Sequence, residues 1–482
     1  MPTRAIVLAA GQGKRMRSNK SKLLHDLLGE PILARVLNTL DVLNLEHIHV
    51  IVGHAADQVR EYLGSYTSDT PISSHLQEPQ HGTGHALMQV EGALQDFVGD
   101  LLIISGDTPL LTVETLRHLI EMHNSEKAAL SLVTVVLGDT KNYGRILRSN
   151  SGQITSIVED KDATSEQKLI KEINPAVYCF NWGRIKKGLN QLTNSNKQKE
   201  YYITDLIAWA HREKLKIADI PGSDWREFAG INSRLELAEA CRFLKDRVVH
   251  KLAVEDGVTI IDPASTWISP EVEIGQDSVI LPGCSLIGKI TIGSSCSVGP
   301  HTTIEGTVHI GSNSNVLQSH LIDCQVGSDC QIGPFAHLRA GTVLADYVRI
   351  GNFVEIKKSF VGLHTNVSHL SYVGDTTVGN EANIGAGTIV ANYDHITKAK
   401  CRTVIGNGVA TGSNSVLVAP VCLGDDSFVA AGTVVTRDVP SGALAVGRAR
   451  QENTEGWTDK RRRRSLTLTS SETPKSKTSK KK

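Results

Sequence analysis

Residues 292–310 read Ile292-Gly-Ser-Ser-Cys-Ser-Val298-Gly-Pro-His-Thr-Thr-Ile304-Glu-Gly-Thr-Val-His-Ile310. An aliphatic residue returns at every sixth position, and the beat extends well beyond this stretch. It starts at Ile274 and passes through Ile280, Leu286, Ile292, Val298, Ile304, Ile310 and Val316 to Ile322. It slips by two and resumes at Val326, Ile332, Leu338, Leu344, Ile350 and Ile356. Later runs are Val361, Val367 and Val373, then Val378, Ile384 and Val390, and finally Leu417, Leu423, Val429 and Val435. A small residue often stands four places after the aliphatic one, as at Cys296, Thr302, Ser314 and Cys330. Helices repeat every 3.6 residues and half-buried strands every two, so neither yields a strict six. A short fixed repeat predicts the stacked rungs of a parallel β-helix, in which no rung is stable alone.

This pattern resembles the hexapeptide-repeat acyltransferases. The resemblance implies a left-handed parallel β-helix with three rungs per coil, roughly nine coils between Ile274 and Val435. The general rule for parallel crossovers would give the opposite hand, so the left hand comes from the resemblance alone.

The chain has 482 residues, too many for one core, and two or three domains are expected. Apolar residues make up 40%, enough for globular folding, while aromatics at 5% suit a solenoid filled by Ile, Val and Ala. The net charge is zero, yet Lys460 to Lys482 holds ten Lys/Arg against one Glu, which leaves the rest nine negative. That tail, set among Ser and Thr, reads as disordered and solubilising. It has no interleaved aromatics, so no dedicated nucleic-acid site is expected. Eight Cys occur with no C-x-x-C pair, which predicts packed, reduced thiols over zinc ligands or disulfides. No apolar run is long enough to span a membrane, and the N-terminus reads as a strand rather than a signal peptide. A cytoplasmic protein is expected.

Upstream of the repeat, short apolar strands alternate with helical segments. Arg4 to Ala10, His47 to Val52 and Leu101 to Ser105 read as buried strands, and Leu33 to Leu43 as a helix. A Rossmann-like α/β sheet with parallel strands is the natural class. The first strand runs into Gly11-Gln12-Gly13-Lys14-Arg15-Met16. Glycines let backbone N–H groups converge on an anion, but a glycine pair fits a plain tight turn equally well. The whole stretch from Leu8, Ala9 and Ala10 through Gly11, Gly13, Arg15 and Met16 to Lys22 resembles sugar-1-phosphate nucleotidyltransferases. That resemblance implies Arg15 and Lys22 as catalytic cations for a triphosphate that loses pyrophosphate. It implies Gln77, Gly82 and Thr83 as the base-recognition segment, and Asp107 after a strand as a magnesium ligand. Gly144, Glu159 and Asn174 match its sugar-binding loops, and Asn232 its second Mg2+ ligand. Taken alone, an Asp after a strand is more often a turn or cap residue and an Asn before a helix more often a cap, so the family match carries both roles. Ser233-x-x-Glu236 is a capping box, and it opens a predicted connecting helix to about Leu252 whose charged residues fit a solvated face.

A nucleotidyltransferase, a connecting helix and a long hexapeptide β-helix together resemble one bacterial bifunctional family. Its members are glucosamine-1-phosphate acetyltransferases and N-acetylglucosamine-1-phosphate uridylyltransferases. The resemblance spans roughly residues 3 to 457. It implies His369 as the general base of acetyl transfer, with Glu355 orienting the ring. An imidazole suits that task because it ionises near neutral pH. Arg339 and Lys357 would grip the sugar phosphate, with Lys398 nearby, while Tyr372 and Asn383 would hold the sugar. Ala386, Asn392 and Tyr393 would meet the thioester, and Ser413, Ala431 and Arg448 the rest of acetyl-CoA. Each basic residue also reads as a solvated charge on a solenoid face. The substrates implied are UTP, glucosamine 1-phosphate, N-acetylglucosamine 1-phosphate and acetyl-CoA, and the assembly implied is a homotrimer. The domains expected are 1–231, a connecting helix at 232–252, the β-helix at 253–448 and a C-terminal segment at 449–482. Three departures stand out: Ser105 in place of Tyr, Pro175 after Asn174, and about two extra residues near Cys401-Arg402, which leave the position of Lys398 open. A single-activity nucleotidyltransferase with a purely structural β-helix, or a non-catalytic scaffold, are the rival readings.

Overall fold

The computed structural model describes residues 1–140 and 142–470, with side chains as far as 466. The chain divides into two compact units, Met1–Asp323 and the remainder from Cys324. No helix among the described residues is long and apolar enough to cross a membrane.

In the first unit, four parallel strands lie in the order Ile72–Leu76, His47–Val52, Thr3–Ala9 and Asp100–Ser105. Their register, Ile6 opposite His49 and Ile103, buries continuous apolar runs against helices, as parallel strands require. The sheet is not parallel throughout. Tyr178–Asn181 joins antiparallel to Asp100–Ser105, and the sheet continues through Leu130–Val136 and Glu172–Asn174 to Gly144–Arg148 and Ile154–Val158. This antiparallel half presents the loops at Tyr143, Glu159 and Asn174 on one wall.

The connecting helix runs Arg234–Val254. The Ser233 side chain accepts from the Glu236 N–H, while the Glu236 carboxylate accepts from the Asn232 N–H at 2.7 Å. The expected solvated face is only partly so. Arg242 and Asp246 are exposed, but Lys245 is 5% exposed. Its ammonium donates to the Pro263 carbonyl at 2.7 Å and lies 5.4 Å from the Trp267 ring, so a charged residue seats the first coil. Arg35 makes a second tie. Its buried guanidinium donates to the carbonyls of Leu27 and Leu28 and pairs with Glu271, at the start of the repeats.

The coils of the first unit stack in three ladders: Ile260, Ile280, Val298 and Val316; Ile268, Leu286, Ile304 and Leu321; and Ile274, Ile292 and Ile310. Paired residues such as Ile280 and Val298 are eighteen apart, one coil of three rungs. The second unit repeats this with Val326, Leu344, Val361, Val378, Ile405 and Leu423 on one face and Ile332, Ile350, Val367, Ile384, Thr411 and Val429 on another. The beat differs from expectation at Ile322. Leu321 is fully buried and Ile322 is not, so the two-residue slip is shared between the steps Val316–Leu321 and Leu321–Val326.

Small residues between the rungs sew the coils together. Ser278 Oγ donates to the Gly293 carbonyl at 2.8 Å and accepts from the Cys296 N–H at 3.0 Å, and Thr365 does the same with Gly379 and Ala382. All eight Cys are free, and burial pushes the Cys330 thiol up to about 11. Trp457–Ser470 forms a helix carrying Arg461 to Arg464 where a disordered tail was expected, while the terminal lysines lie outside the described residues.

The tightest coil contact lies beside His369. A Cβ on Gly351 would overlap the Ser368 carbonyl oxygen on the next coil. Gly351→Ala is expected to destabilise the β-helix by about 1–3 kcal/mol. Thermal unfolding followed by circular dichroism checks it.

Candidate active sites

The strand Thr3–Ala9 delivers Leu8, Ala9, Ala10 and Gly11 to the rim of a cavity of about 420 Å³. Gln12, Lys22, Gln77, Gly82, Thr83, Ser105 and Asp107 complete much of its wall. Gly13 has a φ of 56°, a left-handed conformation that glycine adopts freely, and a side chain there would press on the Lys22 stem at 3.1 Å. The glycine turn therefore aims Lys22 into the cavity. Its ammonium donates to Asp107 Oδ2 and, at 2.9 Å, to Asn232 Oδ1. The two residues expected to share a metal thus converge from opposite ends of the domain on one cationic point. Ser105 donates to Asp107 Oδ1 at 2.6 Å, so this departure from the commoner Tyr fixes the carboxylate.

Gln77 is 3% exposed. Its Nε2 donates to the Gly82 carbonyl at 2.8 Å and lies 3.2 Å from His85 Nδ1. One amide hydrogen is therefore committed to the Gly82 carbonyl, and the Gln77 carbonyl oxygen is left to accept from a base.

A neighbouring cavity of about 370 Å³ is lined by Arg15, Asp107, Gly144, Glu159, Asn174, Pro175 and Asn232 among others. Arg15 stands 3.9 Å from Glu236 and is 58% exposed, leaving it available to an anion. Asn174 is spent on its own loop: Nδ2 donates to the Tyr178 hydroxyl at 2.7 Å and Oδ1 accepts from the Ala176 N–H. Arg145, next to Gly144, is buried and holds the Tyr143 carbonyl and Asp160. Glu159 accepts from Thr204 Oγ1 at 2.9 Å, and burial pushes its carboxyl up, reinforced by Asp205 and Asp162.

In the second unit His369 ends the strand Asn366–His369 and is exposed. The partner of its ring is Asn352, whose Oδ1 lies 2.7 Å from Nδ1. Glu355, expected on the imidazole, instead accepts from Arg339 Nη1 at 2.7 Å. They part because Asn352 pairs with His369 on one face of the coil, while Glu355 pairs with Tyr372 on the next. Lys357 lies on the Glu355 strand. The cation beside it is Lys400, not Lys398. Lys400 also stands 3.9 Å from Asp375. Contact with Lys400 holds the Lys357 ammonium below its ordinary range. The longer loop explains the shift. Tyr393 bridges Lys400 and the Cys401 N–H donates to the Asn392 carbonyl, so the extra residues swing Lys400 back to the coil. Asn392 is 5% exposed with Nδ2 on Asp375 at 2.6 Å, while Tyr393 is exposed. Asn383, on the strand paired with Asn366, is exposed as well.

The remaining expected residues fall on one corner. The Gly387 N–H donates to the His369 carbonyl, Asn414 to Ala386 and Gly432 to Ser413, and the Arg448 guanidinium reaches the Ala431 carbonyl. Backbone bonds thus string His369, Ala386 and Ser413 into a column that ends at Ala431, where the Arg448 side chain docks. Sequence reading missed Asn352, Asp375 and Lys400. Counting one coil back from His369 finds the first, and counting back from Thr403 finds Lys400.

A glycine-turn α/β pocket joined to a hexapeptide β-helix defines a nucleotidyltransferase fused to an acyltransferase. Family models agree: residues 5–175 match the MobA-like NTP transferase domain, and 271–306, 323–358 and 402–437 match the bacterial transferase hexapeptide repeats. The chain is 42% identical over 460 residues to the bifunctional protein GlmU of Corynebacterium aurimucosum, covering 95% of this chain and 94% of the relative. It is 43% identical over 457 residues to that of Halalkalibacterium halodurans, covering 95% and 98%, and 43% over 451 residues to that of Synechococcus elongatus, covering 94% and 97%. The chain belongs to the bifunctional GlmU family. It is an enzyme with two transferase activities, uridylyl transfer and acetyl transfer.

The Glu159 carboxyl generates a pH prediction. Its folded pKa lies above the ordinary 4.5, so in the window above 4.5 the folded chain holds a proton that the unfolded chain has released. Stability then falls as pH rises through that window. Glu159→Gln keeps an acceptor for Thr204 and is expected to melt higher than wild type at neutral pH. The difference should vanish below about pH 4.5, where Glu159 is protonated in both states. Melting temperatures across pH 4–8 check it.

Proposed function

We propose that acetyl-CoA acetylates glucosamine 1-phosphate in the second unit, and that the product then reacts with UTP in the first. The observation that supports this reading is that Lys22 draws Asp107 and Asn232 together in the first unit, while in the second a run of backbone hydrogen bonds descends from His369 past Ala386 and Ser413.

In acetyl transfer, the amine nitrogen attacks the thioester carbonyl and gives its proton to the His369 Nε2 lone pair. The C–S bond breaks, and the thiolate leaves and is protonated to free CoA. Arg339, Lys357 and Lys400 cluster where a sugar phosphate needs cations, with Glu355 fixing Arg339. Tyr372 and Asn383 flank the sugar. The CoA arm runs along the corner column from Ala386, beside Asn392 and Tyr393, past Ser413 to Ala431 and Arg448.

In uridylyl transfer, a phosphate oxygen of N-acetylglucosamine 1-phosphate attacks the α-phosphorus of UTP and the bond to the β-phosphate breaks. Pyrophosphate and UDP-N-acetylglucosamine, a cell-wall precursor, are released. Gln77 accepts from the uracil N3–H, which cytosine lacks. Arg15 and Lys22 neutralise the departing pyrophosphate. Asp107 Oδ2 and Asn232 Oδ1, already gathered around one ammonium, fit Mg2+, which takes a few protein oxygens and fills its shell with phosphates and water. The ion supplies charge neutralisation at the transferring phosphate.

A homotrimer is part of this reading. Phe335, Phe353 and Leu370 sit exposed along a corner of the coils, the two Phe rings stacked at 5.4 Å, beside His369. Apolar surface of this kind calls for cover by a second copy. The free thiols suit a reducing, cytoplasmic setting.

His369→Ala is expected to slow thiol release from acetyl-CoA by about 10²–10⁴ while leaving pyrophosphate release intact. Asp107→Ala should do the reverse. Equal thiol release from His369→Ala and wild type would refute the base assignment. Lys400→Ala should raise KM for glucosamine 1-phosphate by about tenfold, the order of one charge-assisted contact, and Lys398→Ala far less. Steady-state kinetics of the two variants separates them.

A further inference from the structure

His369 is held by one side chain, and that contact determines which nitrogen does chemistry. Asn352 Oδ1 lies 2.7 Å from His369 Nδ1. An amide oxygen accepts but never donates, so Nδ1 carries the hydrogen and Nε2 keeps its lone pair. The coil register enforces the pairing. Asn352 and His369 are opposed Cα partners in parallel strands, and the Leu370 N–H donates to the Asn352 carbonyl at 3.0 Å. Leu370 has a left-handed φ of 52°, so the chain turns the corner directly after His369 and leaves the ring projecting from it. The Ser371 hydroxyl donates to the His369 carbonyl at 2.8 Å and pins the backbone from the other side.

We propose that Asn352 is the positioning residue of the acetyl-transfer site: it sets the His369 tautomer and presents Nε2 as the proton acceptor. This rests on His369 being the base. An amide orients the ring without contributing a charge. A carboxylate at that position would stabilise imidazolium and raise the ring pKa, making a base that is protonated, hence idle, at a higher pH. Other titratable groups on the flanking elements are Arg349 on the Asn352 strand, Glu381 ahead of the Asn383 strand, and Glu355, Lys357 and Tyr372 beyond the corner. Glu355 is occupied by Arg339, and no hydrogen bond or ion pair joins any of the five to the imidazole among the described residues.

The test uses the full chain and follows thiol release from acetyl-CoA with glucosamine 1-phosphate across pH 5–9. Pyrophosphate release by the same preparations reports intact folding. Asn352→Asp is expected to move the acidic limb of kcat/KM up by about one pH unit or more, as a carboxylate beside an imidazole does. Asn352→Ala is expected to lower kcat by about tenfold to a hundredfold, a positioning effect, with KM for both substrates little changed. If His369→Ala is inactive while Asn352→Asp keeps the wild-type limb and Asn352→Ala the wild-type kcat, the positioning role is overturned and the base assignment stands. If His369→Ala itself retains the wild-type rate, the base reading fails and the Asn352 proposal falls with it.

Discussion

Everything in the β-helix follows from the ladder of backbone hydrogen bonds that sets each coil on its neighbour. Parallel strands pair without offset, so a residue in most coils lies against its counterpart seventeen or eighteen positions away, and across the longer loop Val378 meets Ile405. Aliphatic residues fill the interior of each ladder and hydroxyl or thiol residues bridge the corners. Function uses the same constraint on the outside. Side chains remote in sequence become neighbours along a corner, and the surface becomes a line of sites one strand spacing apart, about 4.8 Å.

The α/β domain works by convergence rather than repetition. A left-handed glycine lets Lys22 cross to a strand end, where Asp107 waits, and the helix beginning after Ser233 returns Asn232 to the same point. Three segments of the chain are thereby locked around one cationic position. Ser105 and Glu236 act as the outer braces, one on Asp107 and one on the Asn232 backbone. Ligand binding to this domain is a matter of replacing an internal ion pair with an external one.

Much of this was legible in the sequence because the two periodic signals are strong. The hexad named the buried residues of nearly every rung, and the strand at His47–Val52 was placed to the residue. What escaped depended on geometry that local pattern does not carry. At Ile322 two faces shared a deletion, so the neighbouring Leu321 entered the core. At Lys398 the extra residues formed a hairpin, and a count from its far side was needed to find Lys400. Glu355 was assigned to the imidazole because a carboxylate suits that task, but face was decisive: Asn352 shares the His369 face and Glu355 does not. Lys245 looked solvated because it is charged, yet a carbonyl and an indole were in reach.

The Arg35 guanidinium has a bearing on how the gene can be cut. It is almost wholly enclosed by the α/β domain's own carbonyls, but a carboxylate that neutralises it, Glu271, is encoded after the connecting helix. A fragment ending at the helix would keep Glu30, 3.4 Å from the guanidinium, but lose Glu271, the carboxylate that meets it through two nitrogens. The natural seam of the polypeptide therefore falls inside the solenoid, and a separately expressed nucleotidyl half should carry its first turns of β-helix with it.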